Sequence, residues 1–196
     1  MKKALVSALL AASLFSACLF AQDQSQLLAI DAAQTKVEFT LGDVLHTVHG
    51  SFALKRGSMW FDPATGTASG EIAVDAASGN SGSGARDHRM NKDILESARF
   101  PEIVFHPTRI EGRVTPQGPS QVQVHGVFSI HGADHEIVMP AEVEAAAGEY
   151  RLATHFDVPY VKWGMKNPSN LILRVNDKVQ IDIHTVARPQ RELSAR

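Results

Sequence analysis

The chain has 196 residues, a formal net charge of −2 at pH 7 and a single cysteine. No basic stripe runs along it, which argues against nucleic acid as a partner. Its length predicts one domain, large enough to bury a substantial core.

The first segment, residues 1–21, has the features of a bacterial secretory signal. Lys2 and Lys3 precede an uncharged stretch rich in Ala, Leu and Ser, and Ala21 stands where a peptidase would cut. Serines dilute this stretch, so it is a poor match to a membrane-spanning helix. We expect a periplasmic or secreted protein. Cleavage removes two lysines and no acidic residue, which leaves 17 Lys and Arg against 21 Asp and Glu.

Cys18 lies inside this leader and allows two interpretations. The sequence FSAC resembles a lipobox in which Phe15 replaces the usual Leu, and this would make the protein a lipoprotein. Ordinary cleavage after Ala21 would instead discard the cysteine, and we favour that interpretation. In either case the mature domain has no disulfide, so burial of apolar side chains must hold it together.

Alternation of apolar and polar residues dominates the rest of the chain. Val37, Phe39 and Leu41, for example, share one face of TKVEFTLG, while charged and polar residues take the other. This period of two is typical of strands with one buried and one solvated face. Strands are predicted near residues 28–41, 47–54, 57–61, 69–76, 103–114, 120–130, 134–145, 150–158 and 178–187.

Turn-like segments separate these strands and predict an antiparallel meander rather than βαβ units. The sequence SGNSGSG, residues 78–84, predicts a flexible tether. Residues 85–97 lack alternation and predict one short helical insert. Residues 188–196 predict a polar C-terminal tail.

Two architectures would bury so many one-sided strands: a sandwich of two sheets, or one sheet closed into a barrel. Gly50 and Gly126 lie within predicted strands and suit the tight bends of a strongly curved sheet. Alternation alone does not choose between the two architectures.

Four further stretches follow one another in the chain: DAAQTKVEFTLGDVLHTVHGSF, GARDHRMNKDIL followed by ARFPEIVFHPTRI, HGVFSIHGADHEIVMP and FDVPYVKWGM. In this order they resemble the YceI-like family, and the likeness covers residues 30–187. Two departures occur in the insert: Ile94 and Leu95 precede the Pro-containing strand where the family has a pair of phenylalanines, and Met90 replaces a Leu.

The resemblance implies an all-β fold for residues 22–187: an extended antiparallel eight-stranded lipocalin-like β-barrel with one short helical insert after a Gly/Ser tether. It also implies binding of a long-chain isoprenoid-type lipid, either a polyprenyl chain or an isoprenoid quinone. The lipid would occupy an apolar tunnel, for carriage or sequestration, and no cofactor is expected.

Ligand contacts are predicted at two places. Arg86, His88 and Trp163 are expected at the mouth, beside a polar headgroup. Two alternatives stay open: lining residues can equally fill a dry core, and Arg86 with Asp87 can serve to cap and pin the helix. The predicted lining residues are Val37, Phe39, Leu41, Phe52, Leu54, Ile72, Val74, Met90, Ile94, Leu95, Phe105, Val122, Val124, Phe128, Phe156 and Val158.

The nine histidines do not form a recognisable metal motif. His46 and His49 point to opposite faces of a predicted strand, whereas His131 and His135 flank a tight turn and could approach each other. We predict no metal site and no catalytic residues, because hydrolase, HExxH and phosphate-loop signatures are missing. The alternative function is a small enzyme that acts on an amphiphile through His and Asp residues at the barrel mouth.

Several properties stay open at this point. The sequence does not fix the oligomeric state or the chain length and headgroup of a lipid ligand. The loop KWGMKNPSN, residues 162–170, allows a transient contact with a membrane surface as well as a purely solvated role.

Overall fold

The computed structural model describes residues 25–42, 47–169 and 174–190, and ten strands dominate these ranges. The predicted leader with Cys18 lies outside the described residues, as do His46 and residues 191–196. The strands are β1 (Gln26–Ile30), β2 (Lys36–Gly42), β3 (Thr47–Phe52), β4 (Leu54–Phe61), β5 (Ala68–Asp75), β6 (Glu102–Glu111), β7 (Gly118–Ile130), β8 (Ala133–Ala146), β9 (Glu149–Val158) and β10 (Val179–Pro189).

The sheet closes into an eight-stranded antiparallel barrel, which confirms the predicted fold class. Its strands follow the order β1, β4, β5, β6, β7, β8, β9 and β10, and β10 pairs back onto β1. The hairpin of β2 and β3 continues the wall at one end, because β2 also pairs with β10. We call this end the mouth. The opposite end, where β9 begins and β10 stops, is the closed end.

A local carboxylate divides the long strand predicted at residues 28–41 into β1 and β2. Asp31 accepts hydrogen bonds from the backbone N–H groups of Ala33 (3.0 Å) and Gln34 (3.3 Å), so Ala32–Gln34 form a 3-10 turn. Such local bonding by Asp competes with strand pairing. Arg188 of β10 binds the same carboxylate at 2.7 Å and helps hold its pKa below the ordinary value.

The boundary predicted between residues 54 and 57 was misplaced. β3 ends at Phe52, and β4 runs from Leu54 to Phe61 with a bulge between Leu54 and Arg56 in its pairing with β5. Arg56 stabilises the strand here through two neighbours: Glu71 of β5 (2.8 Å) and Glu102 of β6, which it binds with two nitrogens (2.7 and 2.8 Å). This bidentate contact lowers the pKa of Glu102 to about 2. Arg56, in the segment that was predicted as a turn, therefore links β4, β5 and β6 across the outer face of the barrel.

The helical insert lies between β5 and β6, as predicted. Helix α1 spans Gly84–Arg89 and continues as one π-helical turn over Met90–Ile94. The preceding Gly/Ser segment is well packed, in contrast to the loose tether that its composition suggested. Asn80 exchanges two backbone hydrogen bonds of 2.9 Å with Ser51 of β3. No helix in the described ranges is long and apolar enough to cross a membrane.

Two glycines allow large aromatic rings to lie flat against the barrel wall. Gly50 faces Phe39 on the neighbouring strand, and a Cβ at Gly50 would overlap that ring. Gly126 relates to Phe105 in the same way, and a Cβ there would also lie 2.5 Å from the carbonyl oxygen of His106. The predicted role of these glycines in a curved sheet therefore includes the close approach of aromatic rings.

We predict that Gly126→Ala destabilises the barrel by about 1–3 kcal/mol, because the new methyl group displaces the Phe105 ring or the backbone. Urea unfolding followed by circular dichroism measures the change in the free energy of unfolding. Gly84→Ala is the matched control, since a Cβ at Gly84 meets no atom within 4 Å. Equal stability of the two variants would contradict the proposed packing.

Candidate functional site

The barrel encloses one long cavity of about 680 Å³, which runs from α1 at the mouth to Tyr150 near the closed end. Its wall is almost wholly apolar. Every strand of the barrel contributes inward-facing side chains, and α1 with its π-helical turn covers the mouth. The interior is therefore not a solid core, and a void large enough for a small lipid remains between the strands.

The structure places all predicted lining residues except Val122 on this wall. Val122 is buried but does not border the cavity, although its register partner Ala141 does. The residues on the wall are Val37, Phe39, Leu41, Phe52, Leu54, Ile72, Val74, Met90, Ile94, Leu95, Phe105, Val124, Phe128, Phe156 and Val158. Their contact with a ligand stays a prediction.

Sequence reasoning missed a second group of wall residues on the later strands and in the connection after β9. Those on β9 alternate in phase with the predicted Phe156 and Val158, and the alternation of β8 and β10 could have found those on the other two strands. Tyr160 and Met165 follow β9 in the connection and carried no periodic signal. The missed residues include Met139, Ala141, Val143, Tyr150, Leu152, Tyr160, Met165, Ile181 and Ile183.

Arg86 and Asp87 hold α1 onto the segment before it. Arg86 donates to the hydroxyl (2.8 Å) and the carbonyl oxygen (3.0 Å) of Ser81. Asp87 accepts from the Ser81 backbone N–H (2.8 Å) and from its hydroxyl (2.5 Å), and these bonds keep the pKa of Asp87 below its ordinary value. The pair thus pins the helix, while Arg86 also lies on the wall at the mouth.

A second arginine reaches across the mouth from the same helix. Arg89 lies on the cavity wall and donates to the carbonyl oxygen of Pro168 at 3.2 Å, in the connection between β9 and β10. Met90, Ile94 and Leu95 lie on the wall beneath the helix. The insert therefore presents apolar side chains to the cavity and two cationic groups at its rim.

The other two predicted mouth residues do not lie on the cavity wall. His88 is exposed on α1. Trp163 stacks on the His135 ring, with centroids 4.1 Å apart and planes 4° from parallel, and its centroid lies 5.8 Å from that of Phe128. Trp163 therefore packs beside Phe128, which does line the cavity, and its contact with a headgroup stays a prediction.

The connection after β9 closes the mouth opposite α1. Tyr160 and Met165 are buried and line the cavity there. The Tyr160 hydroxyl donates to the carbonyl oxygen of Asn176 at 2.6 Å, and burial raises the pKa of this phenol to about 12. Tyr160 is thus a neutral anchor that fixes the loop, since its hydroxyl already has a partner.

The histidines that flank the β7–β8 turn have separate partners. His131 lies 3.4 Å from a Glu96 carboxylate oxygen and packs on Phe100, whereas His135 stacks on Trp163. The Nε2 atom of His135 is buried and has no hydrogen-bond partner among the described residues. No group of three or more His, Cys, Asp or Glu side chains within those residues could hold a metal ion.

A closed antiparallel barrel with a long apolar cavity and a helical cover defines the class of lipocalin-like cavity proteins. Within that class, the model of the YceI-like domain matches residues 28–187. The chain therefore belongs to the YceI-like family. No curated protein matches the sequence.

Three solved structures share this fold. BcnA of Burkholderia cenocepacia superposes with a TM-score of 0.66 at 20% identity, covering 80% of this chain and 98% of its own. A polyisoprenoid-binding domain from Saccharophagus degradans, implicated in plant cell wall breakdown, gives 0.66 at 15% identity over 83% and 98%. A YceI protein of Campylobacter jejuni gives 0.54 at 18% identity over 73% and 82%.

We predict that Asp87→Asn loosens α1 and lowers the midpoint of thermal unfolding at neutral pH. A carboxylate with a lowered pKa stabilises the fold fully above its unfolded pKa, about 3.9, and this contribution disappears as the pH falls through the lower folded pKa. The difference between wild type and variant should therefore shrink as the pH is reduced below about 4.

Asp93→Asn is the control, because Asp93 lies in the same helical segment and makes no hydrogen bond through its side chain to other described residues. The midpoint of thermal unfolding is measured for wild type and both variants across the acidic pH range. A difference between wild type and Asp87→Asn that stays constant with pH would show that the carboxylate charge does not anchor the helix.

Proposed function

We propose that the protein binds one long-chain, isoprenoid-type lipid inside the barrel, for carriage or sequestration. The observation that carries this proposal is the apolar cavity of about 680 Å³ that runs along the barrel. A wall almost without polar groups favours a ligand that needs no hydrogen bonds over most of its length.

The size of the cavity suits a chain of moderate length. If a methylene group occupies about the volume of a water molecule in the liquid, ~30 Å³, the cavity holds on the order of twenty carbons. Burial of these carbons contributes about 16 kcal/mol at ~0.8 kcal/mol each. Losses of ligand freedom and chain ordering remove several to about ten kcal/mol. The remainder corresponds to binding between the micromolar and nanomolar ranges.

Two considerations support an isoprenoid over a saturated chain. The family membership and the polyisoprenoid-binding description of the Saccharophagus degradans domain point to this ligand class. The double bonds of a prenyl chain also reduce the number of freely rotating bonds. Such a chain therefore loses less freedom in a narrow cavity than a saturated chain of the same length.

The polar headgroup is expected at the mouth. Arg86 and Arg89 lie on the wall at that end, and Arg86 is the part of the predicted headgroup site that borders the cavity. Guanidinium groups donate hydrogen bonds to the carbonyl, phosphate or carboxylate oxygens of a headgroup. A quinone and a polyprenyl derivative can both present such an oxygen atom to the arginines.

Export of the protein is part of the proposal. A leader with Lys2, Lys3 and a small residue at Ala21 supports cleavage by a signal peptidase. N-terminal sequencing of protein recovered from the periplasmic fraction should begin at Gln22. A detergent-extracted form that begins at Cys18 would instead show lipidation.

Analysis of copurifying lipids tests the proposed ligand class directly. Purified, exported protein is extracted with organic solvent, and the extract is analysed by mass spectrometry. A stoichiometric long-chain isoprenoid is the expected result. Repeated ligand-free preparations that also fail to take up geranylgeraniol would contradict the proposal.

We predict that Ala141→Trp weakens lipid binding at least tenfold while the barrel still folds. Ala141 is buried in β8 and lines the cavity, so an indole there fills the bore with little need to displace other side chains. Fluorescence displacement with a labelled prenyl chain should show affinity reduced by at least tenfold, since several buried methylenes would be excluded at ~0.8 kcal/mol each.

Glu142→Trp is the matched control, because the neighbouring residue on the same strand is exposed on the outer face. Both variants are compared with wild type by circular dichroism before binding is measured. Full uptake by Ala141→Trp would show that the ligand does not occupy the cavity, whereas loss of uptake by both variants would show a general effect of the indole.

A further inference from the structure

We propose that Tyr150 forms the floor of the cavity and sets the longest lipid tail that the protein encloses. The inference rests on the proposed function, and it assigns the chain-length limit of the same site to one side chain. It starts from the position of Tyr150 at the beginning of β9, on the inward face near the closed end.

The Tyr150 side chain reaches across the neighbouring strand. Its hydroxyl oxygen accepts a hydrogen bond from Nε2 of Gln26 at 2.9 Å. Gln26 belongs to β1, and β10 lies between β1 and β9 in the sheet. Tyr150 is level with Ala187 of β10 and, through it, with Ile30 of β1, whereas Gln26 lies four residues nearer the closed end. The Tyr150 side chain therefore extends across β10 and towards the closed end rather than towards the mouth.

Two small residues make this orientation possible. Tyr150 is paired with Ala145 on β8 and with Ala187 on β10, and both alanines are buried. Their methyl groups leave space above the sheet for the aromatic ring. The partly buried hydrogen bond at the tip then holds the ring in place.

The extent of the cavity agrees with this floor. Tyr150 lies on the cavity wall together with Phe61 and Val114. Gln26, Ala145 and Ser120 lie at the same end but are not part of the wall, although Ala145 and Ser120 are buried. The open space therefore stops at the Tyr150 ring, and filled interior lies beyond it.

A fixed floor imposes a limit on the length of the bound tail. Each added isoprene unit gains affinity while it can still be buried. A chain that reaches the ring must leave further units outside the mouth, in water, where they contribute little. Affinity should therefore rise with chain length and then become constant.

The experiment measures the affinity of all-trans prenyl alcohols, from farnesol upward, each one isoprene unit longer than the last. For wild type, we expect affinity to stop rising at about four units, the length that the cavity volume allows. Tyr150→Ala removes the six ring carbons and the hydroxyl oxygen, which is enough space for the five carbons of one isoprene unit. The chain length at which affinity stops rising should increase by one isoprene unit. The first alcohol beyond the wild-type limit should bind this variant at least tenfold more tightly than it binds wild type.

Two further variants separate the floor from cavity volume and from the hydrogen bond. Leu152→Ala enlarges the cavity at the side of the same strand and should change affinities without moving the limit. Tyr150→Phe keeps the ring and should keep the wild-type limit with lower thermal stability. Tyr150→Leu removes the ring but retains a buried apolar side chain, and it replaces the alanine variant if that variant does not fold.

The outcomes distinguish the inference from the proposed function. The inference is supported if the chain length at which affinity stops rising increases only in the variants without a ring at position 150. An unchanged limit in those variants, or an equal displacement in Leu152→Ala, would overturn it while lipid binding itself stands. If no prenyl alcohol binds wild type, the proposed function fails, and the inference about Tyr150 fails with it.

Discussion

The barrel depends on one edge of β10 that pairs with two different strands. Residues Ala187–Pro189 pair with β1, and Gln180–His184 pair with β2. Asp31 makes this arrangement possible because it turns the chain between the two strands and is bound by Arg188 of β10. Closure leaves the inward faces of the eight strands opposite one another, and their apolar side chains are shielded from water whether or not they meet at the centre.

The side chains do not meet at the centre, because the largest of them lie along the wall. Phe39 and Phe105 occupy space that a Cβ would need at Gly50 and Gly126. At the closed end, Tyr150 is paired with the small residue Ala187. Pairing of a large with a very small residue thus keeps the bore open along most of the barrel and blocks it at one end.

The sequence predicted the wall better than the ends. Alternation assigns a residue to the inner or outer face, and Phe128 and Phe156 lie on the cavity wall in agreement with their inward positions. It does not tell which inward residues border open space, and Val122 is buried without lining the cavity. Trp163 lies in a loop, where its packing on His135 depends on a contact that no periodic pattern records. The family resemblance supplied barrel closure, which alternation had left undecided.

α1 and its π-helical turn, which cover the mouth, are attached to the barrel by fewer hydrogen bonds than the strands share with one another. This difference has a kinetic consequence. The wall is a continuous ladder of backbone hydrogen bonds, whereas α1 and its π-helical turn are held by a few side-chain bonds and by the apolar packing of Met90, Ile94 and Leu95. Opening of the cover therefore requires fewer bonds to break than separation of any two strands. A lipid would enter tail first and leave headgroup first through this end. Residence time would then be governed by the cover, and equilibrium affinity mainly by the wall.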